Sequence, residues 1–181
     1  DFLNPYRFLK EEYPKRRQWS LDYYTCICHG DLNMQNILLD NEMNVYLIDF
    51  SETRPRSVVS DFARLEAIFM IESFPMQSEE DFLMVLELLV NFYERPCSLD
   101  KIPDVSWKGR IPQVMERNIA LTKKMRKYAI SSAREEKTFV PYTLALLEWV
   151  LPIVCYSSAT VWQKQLSACV ASLLCESLKN K

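Results

Sequence analysis

Glycine is scarce in this chain: two in 181 residues, against roughly 7% in ordinary proteins. Tight turns and left-handed backbone positions depend on glycine, so a mostly helical chain with few such turns is expected. Charge of either sign is not in excess. A formal net charge of −2 excludes the basic footprint of a nucleic-acid binder. No signal peptide is visible. No long apolar run goes uninterrupted either. Residues 140–162 carry a single charge, Glu148, but Pro141, Pro152 and the Ser157-Ser158 pair break the stretch. Two core helices meeting near Pro152 are expected there, not a membrane span.

What is present fits one domain with a real core: 49% apolar and 25% charged residues, as in ordinary globular proteins. Six cysteines, Cys26, Cys28, Cys97, Cys155, Cys169 and Cys175, sit mostly in apolar stretches. They read as reduced, buried thiols of a cytoplasmic protein. Cys26-Ile27-Cys28-His29 has no second ligand pair at zinc spacing, so its cysteines read as core residues on one face of a strand. The chain begins with Asp1 rather than Met, and an upstream segment is expected.

The pattern along the chain predicts an α+β, mostly helical fold in three parts. Residues 1–20 form an entry helix, amphipathic and broken, ending at Pro14. Residues 24–50 hold a strand through Cys28, a loop, and a β-hairpin. The hairpin pairs Ile37-Leu38-Leu39 with Val45-Tyr46-Leu47-Ile48 across the polar turn 40–44. Residues 60–181 are a helical subdomain. Ser60 is expected to cap a helix beginning at Asp61. Ser78-Glu79-Glu80-Asp81 reads as a capping box ahead of Phe82, Val85, Leu86, Leu89 and Phe92. Residues 96–112 form a linker with three prolines. Three more helices follow, over 113–135, 142–151 and 153–178. Lys123, Lys124, Arg126 and Lys127 are expected on a solvated helix face.

The most informative stretch is His29-Gly30-Asp31-Leu32-Asn33-Met34-Gln35-Asn36, followed thirteen residues later by Asp49 at the end of an apolar run. His-x-Asp-x-x-x-x-Asn and a later Asp are the residue types of phosphoryl transfer, in the order that kinase-type sites use them. Asp31 would receive the proton of the acceptor hydroxyl. Asn36 and Asp49 offer oxygens suited to Mg²⁺ and so to the phosphates of ATP or GTP. The hairpin explains how two residues thirteen apart meet: Asn36 precedes its first strand and Asp49 follows its second. His29 is expected to fix the loop through a ring-to-backbone hydrogen bond. Gly30 permits a geometry or approach that a Cβ would block. Asn33 and Gln35 are expected to face phosphate or acceptor. Asp61 has two readings: a helix-dipole carboxylate, or a buried acceptor that holds the catalytic loop. Arg64 would pair with it or with a carboxylate outside the helix.

These motifs resemble the aminoglycoside phosphotransferase and choline kinase family, within the protein-kinase-like fold. His29-Gly30-Asp31-Leu32-Asn33 is similar to that family's His-Gly-Asp-Leu-His brace, with Asn33 where His is common. Ile48-Asp49-Phe50 resembles its metal segment. Ser51 stands where a protein kinase has the glycine of Asp-Phe-Gly, which favours the small-molecule branch. Asp61-Phe62-Ala63-Arg64-Leu65-Glu66 resembles the family's Asp-led helix. The chain is also similar to bacterial kinase-like domains described as ternary complex associated domains. The resemblance implies the C-terminal lobe of a kinase-like fold, with the hairpin carrying the catalytic and metal loops. It implies a kinase moving the γ-phosphoryl group of ATP or GTP to a small-molecule hydroxyl acceptor. On this reading Asp31, His29 and Asn33 are catalytic, Asn36 and Asp49 bind nucleotide and Mg²⁺, and Gly30 and Asp61 support the loop. The family's Gly-rich loop and strand lysine belong to an N-terminal lobe and are absent here. Residues 1–181 alone are therefore expected to be inactive without that lobe. The other reading is a kinase-fold scaffold or regulatory module in a larger bacterial protein.

Overall fold

A computed structural model describes residues 2–16, 23–74, 76–93, 112–133 and 140–179. The fold is α+β and mostly helical, as the scarcity of glycine predicts. Asn4 opens the entry segment by accepting the Arg7 N–H, with Pro5 in the first turn of α1 (Pro5–Arg7). The helical path continues as a π turn over Phe8–Glu12 and a 3₁₀ turn over Tyr13–Arg16. Pro14 therefore does not end it: a proline in the first turn of a new helical segment lacks only an N–H that would be unpaired there anyway. The rest of the expected entry helix lies outside the described residues.

Among the described residues four short strands make two separate antiparallel pairs. β1 (Thr25–Cys28) pairs with β4 (Arg54–Ser57), and β2 (Ile37–Leu39) pairs with β3 (Val45–Leu47). The hairpin is the expected one. Its turn is organised by Asp40, whose carboxylate accepts from the Glu42 and Asn44 N–H groups, the Asn44 side chain and the Tyr46 hydroxyl. Hydrogen bonds from Asn44, ahead of the other donors, hold the Asp40 carboxyl below its ordinary pKa. β4 is too short and too polar to stand out in the sequence. Its pairing nonetheless brings the chain after Asp49 back beside the strand that leads into the loop.

The helices are α2 (Ser60–Ala67), continued by a π turn over Ile68–Glu72, α3 (Glu79–Tyr93), α4 (Gln113–Ala133), α5 (Val140–Val150) and α6 (Val161–Lys179). The capping box of α3 forms as read: Ser78 accepts from Asp81 N–H, and Asp81 accepts from Ser78 N–H. Val85, Leu89 and Phe92 are buried along its inner face. Ser60 does not cap α2. It is the first helical residue, Val59 occupies the cap position without a side-chain bond, and the buried Ser60 hydroxyl has no partner among the described residues. The last helix starts later than expected. Leu151–Cys155 is a 3₁₀ turn around Pro152, and Thr160 with Gln163 forms a reciprocal capping box that opens α6. The linker expected over 96–112 lies, except for Pro112, outside the described residues, as does Cys97. Among the described residues no helix is long and apolar enough to cross a membrane.

The core sits among α2 to α6, with Phe8 packed into it. A charge lies at its centre. Glu66 is fully buried and Arg126 is 1% exposed. Arg126 donates to both carboxylate oxygens of Glu66, at 2.8 and 2.6 Å, while the Tyr93 and Tyr142 hydroxyls donate at 2.8 and 2.7 Å. Arg126 thus leaves the expected solvated face. Its planar fork satisfies a carboxylate that would otherwise be stranded. Burial works against the guanidinium charge, but Glu66 holds the Arg126 pKa well above its usual value. Burial and the same carboxylate raise both tyrosines. The thiols also divide. Cys28, Cys169 and Cys175 are buried, whereas Cys26 and Cys155 are exposed, and all five are unbridged.

Removing one partner of a fully buried ion pair costs about 3–5 kcal/mol. Glu66→Gln is therefore expected to lower the melting temperature by roughly 10 °C, as read by calorimetry, with circular dichroism showing retained helix. An unchanged melting temperature would contradict this account of the core.

Candidate active site

The loop between β1 and β2 is built by its own side chains and by α2. Asp61, in the first turn of α2, accepts the His29 N–H at 2.8 Å on one oxygen and the Gly30 N–H at 3.1 Å on the other. Both readings of Asp61 therefore describe the same atom set: a carboxylate at a helix N-terminus that grips the loop backbone. His29 is buried. Its Nε2–H donates to the Ile48 carbonyl at 2.8 Å, and its ring lies 5.1 Å from that of Phe50. The histidine thus ties the loop to the end of β3, one residue before Asp49. Its Nδ1 has no partner among the described residues.

Gly30 has φ +86°, and a Cβ there would stand 2.2 Å from the Glu52 carbonyl oxygen. Only glycine fits both the left-handed backbone and that approach. The Thr53 hydroxyl adds a bond to the His29 carbonyl at 3.3 Å. The loop before β2 and the turn after β3 are consequently packed backbone to backbone.

Asp31 is held from within the loop. Asn33 Nδ2 donates to its carboxylate at 3.2 Å and to its carbonyl at 3.3 Å. Asn33 Oδ1 accepts the Gln35 and Asn36 N–H groups, capping the 3₁₀ turn Met34–Asn36. Asn33 is thereby engaged in loop structure, and Gln35 is exposed. Buried Asn36 donates from Nδ2 to the Asp31 carbonyl at 3.0 Å, while its own carbonyl accepts the Ile48 N–H at 3.1 Å. Asp49 follows, exposed, at φ +61°. A left-handed non-glycine residue is uncommon and costs about 1–2 kcal/mol. Ser51 donates to one Asp49 oxygen at 2.8 Å. Asp31, Asn36 and the β3 end that precedes Asp49 are thus joined by a continuous chain of hydrogen bonds.

The donor chemistry fits Mg²⁺. Such sites use one or two carboxylates, with phosphate and water completing the shell. Asn36, with its Nδ2 engaged, presents an amide oxygen, and Asp49 has a carboxylate oxygen beyond the one that Ser51 occupies. Among the described residues no three His, Cys, Asp or Glu side chains cluster tightly enough to hold a metal unaided. An ion here would depend on the phosphates themselves.

Arg64 is the residue whose role the motif alone left open. It is 8% exposed and salt-bridged to Glu72 at 2.7 Å, with Nε 3.7 Å from the Asp31 carboxylate and the guanidinium 5.1 Å from the Trp149 ring centre. No Lys or Arg occurs from Thr25 to Thr53, a span holding five acids. Positive charge near Asp31 therefore comes from α2. The signal was the i, i+3 spacing of Asp61 and Arg64, which puts both on one helix face.

Hydrogen bonds to a charged group contribute about 1.5–3 kcal/mol each. Asp61→Ala removes two of them. It is expected to destabilise the chain by about 3 kcal/mol and to raise amide hydrogen exchange selectively at His29 and Gly30. Exchange unchanged at those two amides would overturn the clamp.

No curated protein and no solved structure matches the chain. The sequence model of ternary complex associated domain 9 matches residues 1–177. That match spans nearly the whole chain, entry segment and last helix included, and the chain belongs to the ternary complex associated domain 9 family.

Proposed function

We propose that this domain is the C-terminal lobe of a kinase-like phosphotransferase, which moves the γ-phosphoryl group of ATP or GTP to the hydroxyl of a small molecule. The observation that carries the reading is the hydrogen-bonded chain from Asp61 through His29 and Gly30 to Asp31, Asn36 and the Asp49 turn. Side chains of the types that phosphoryl transfer uses stand on one braced loop and on the turn that packs against it. Such catalysis is mainly positioning and charge stabilisation, so a braced loop is what it needs. Asp31, partly exposed and oriented by Asn33, takes the acceptor proton. Asn36 and Asp49 would hold the metal. Bound Mg²⁺ supplies neutralisation of the phosphate charge. His29, Gly30 and Asp61 act on shape.

A partner lobe belongs to this reading. The hairpin exposes Leu38, Leu39, Val45, Tyr46, Leu47 and Ile48 together. A two-stranded ribbon with apolar side chains in water is marginal alone, and an apolar patch of this kind marks a contact surface. A nucleotide-covering N-terminal lobe would seat there. The same exposure, with the family's description as complex-associated, favours a second reading: a kinase-fold module that docks within an assembly and performs no transfer.

The test uses the polypeptide at its natural length, with a panel of hydroxylated metabolites and ADP or GDP release as the signal. Loss of a general base costs about 10²–10⁴-fold in rate. Asp31→Ala is expected to lose that much turnover while nucleotide still binds, and Asp49→Ala to lose both, with melting temperatures kept. Turnover surviving in both variants would refute the site. Absence of nucleotide binding in the wild type would leave the docking module as the reading that stands.

A further inference from the structure

The exposed thiol of Cys26 and the buried thiol of Cys28 lie on the same face of β1, because residues i and i+2 of a strand point the same way. Their sulfurs are 3.5 Å apart. The Cys28 thiol donates to the Ser57 carbonyl on β4 at 3.3 Å. Cys28 also immediately precedes His29, whose N–H is gripped by Asp61. One accessible sulfur and one shielded sulfur, already in contact, stand on the strand that leads into the loop of the candidate site.

We propose that Cys26 and Cys28 are a dithiol–disulfide pair, a modification site for hydroperoxides that bridges reversibly beside the loop. Burial, ahead of the contact with Cys26, pushes the Cys28 thiol up to about 12. It therefore stays protonated at neutral pH, and Cys26 is the sulfur that meets the oxidant. The Cys26 sulfur attacks a peroxide oxygen, the O–O bond breaks, and the leaving oxygen departs as water or alcohol with the proton that the Cys26 thiol gives up, leaving a sulfenic acid. The Cys28 sulfur then attacks the Cys26 sulfur. The S–O bond breaks, the hydroxyl leaves as water with the Cys28 proton, and the S–S bond forms. Two thiols are oxidised by two electrons and one peroxide is reduced.

The strand makes the bridge reversible. Residues two apart in a strand have Cα atoms about 6.6–6.8 Å apart, near the upper limit of about 6.8 Å for a disulfide. Bridging contracts β1 between Cys26 and Cys28 and removes the thiol donor from Ser57. Strained, accessible disulfides are the readily reduced ones. The proposal rests on the thiols alone and stands apart from the phosphotransfer reading.

The test treats the reduced chain with hydrogen peroxide, blocks remaining thiols with N-ethylmaleimide after unfolding, and maps the peptides by mass. Expected is a Cys26–Cys28 peptide lighter by two hydrogens, unblocked at both sulfurs and restored by dithiothreitol. Cys155, the other exposed thiol among the described residues, serves as the reference and does not bridge to either. In Cys28→Ser, Cys26 is expected to stop at a sulfenic acid trapped by dimedone. In Cys26→Ser, Cys28 remains fully blockable. Amide exchange at His29 and Gly30 is expected to rise on oxidation and return on reduction in the wild type only. Cys26 recovered as sulfinic acid or as an intermolecular dimer, with Cys28 still blockable, would overturn the site. A bridge without any change in exchange would overturn its link to the loop.

Discussion

One carboxylate joins the helical subdomain to the loop. Asp61 accepts two consecutive backbone N–H groups, from His29 and Gly30, with one oxygen each. Successive N–H groups of a β-strand point to opposite sides, so two adjacent N–H groups that converge on one place need an acceptor from outside the ladder. Helix α2 supplies it at the end where its dipole favours negative charge. The same helix turns Arg64 toward Asp31 and buries Glu66 in the core against Arg126. A single helix therefore reaches the loop with one face and the most deeply buried charge with another. The loop inherits the rigidity of that packing.

The interior ion pair and the loop differ in how they are satisfied. Glu66 receives four donors from three other helices, and little about it is adjustable. Asp31, Asn36 and Asp49 are held on one side and open on the other: Asn36 is buried, Asp31 is half-buried, and Asp49 is exposed. The proposed phosphotransfer would need that asymmetry, since donors closed in on every side leave nothing for a ligand.

Much of this was legible in the residues. The hairpin, the capping box at Ser78 and the inner face of α3 follow from local spacing, which needs no knowledge of the rest of the chain. The convergence of Asn36 with the β3 end follows from the hairpin. What stayed hidden was long-range. Arg126 reads as one of four cations on a helix, and a carboxylate sixty residues earlier in the chain draws it inward. β4 is four residues, Arg54-Pro55-Arg56-Ser57, and exists because β1 offers it an edge. The capping box at Thr160 was visible as Thr-x-x-Gln, but an apolar stretch ahead of it masked the boundary. The exposed Cys26 and Cys155 lie in runs whose apolar character says nothing about which side of a strand or turn faces water.

The approach of Gly30 to Glu52 couples the two halves of the site mechanically. With no room for a methyl group between them, neither backbone segment can advance toward the other, and Thr53 and His29 tether them against drifting apart. The bend that carries Asp31 and the bend that carries Asp49 form a single stiff hinge plate. Entry and exit of any guest then falls to whatever lies over the plate rather than to flexing within it.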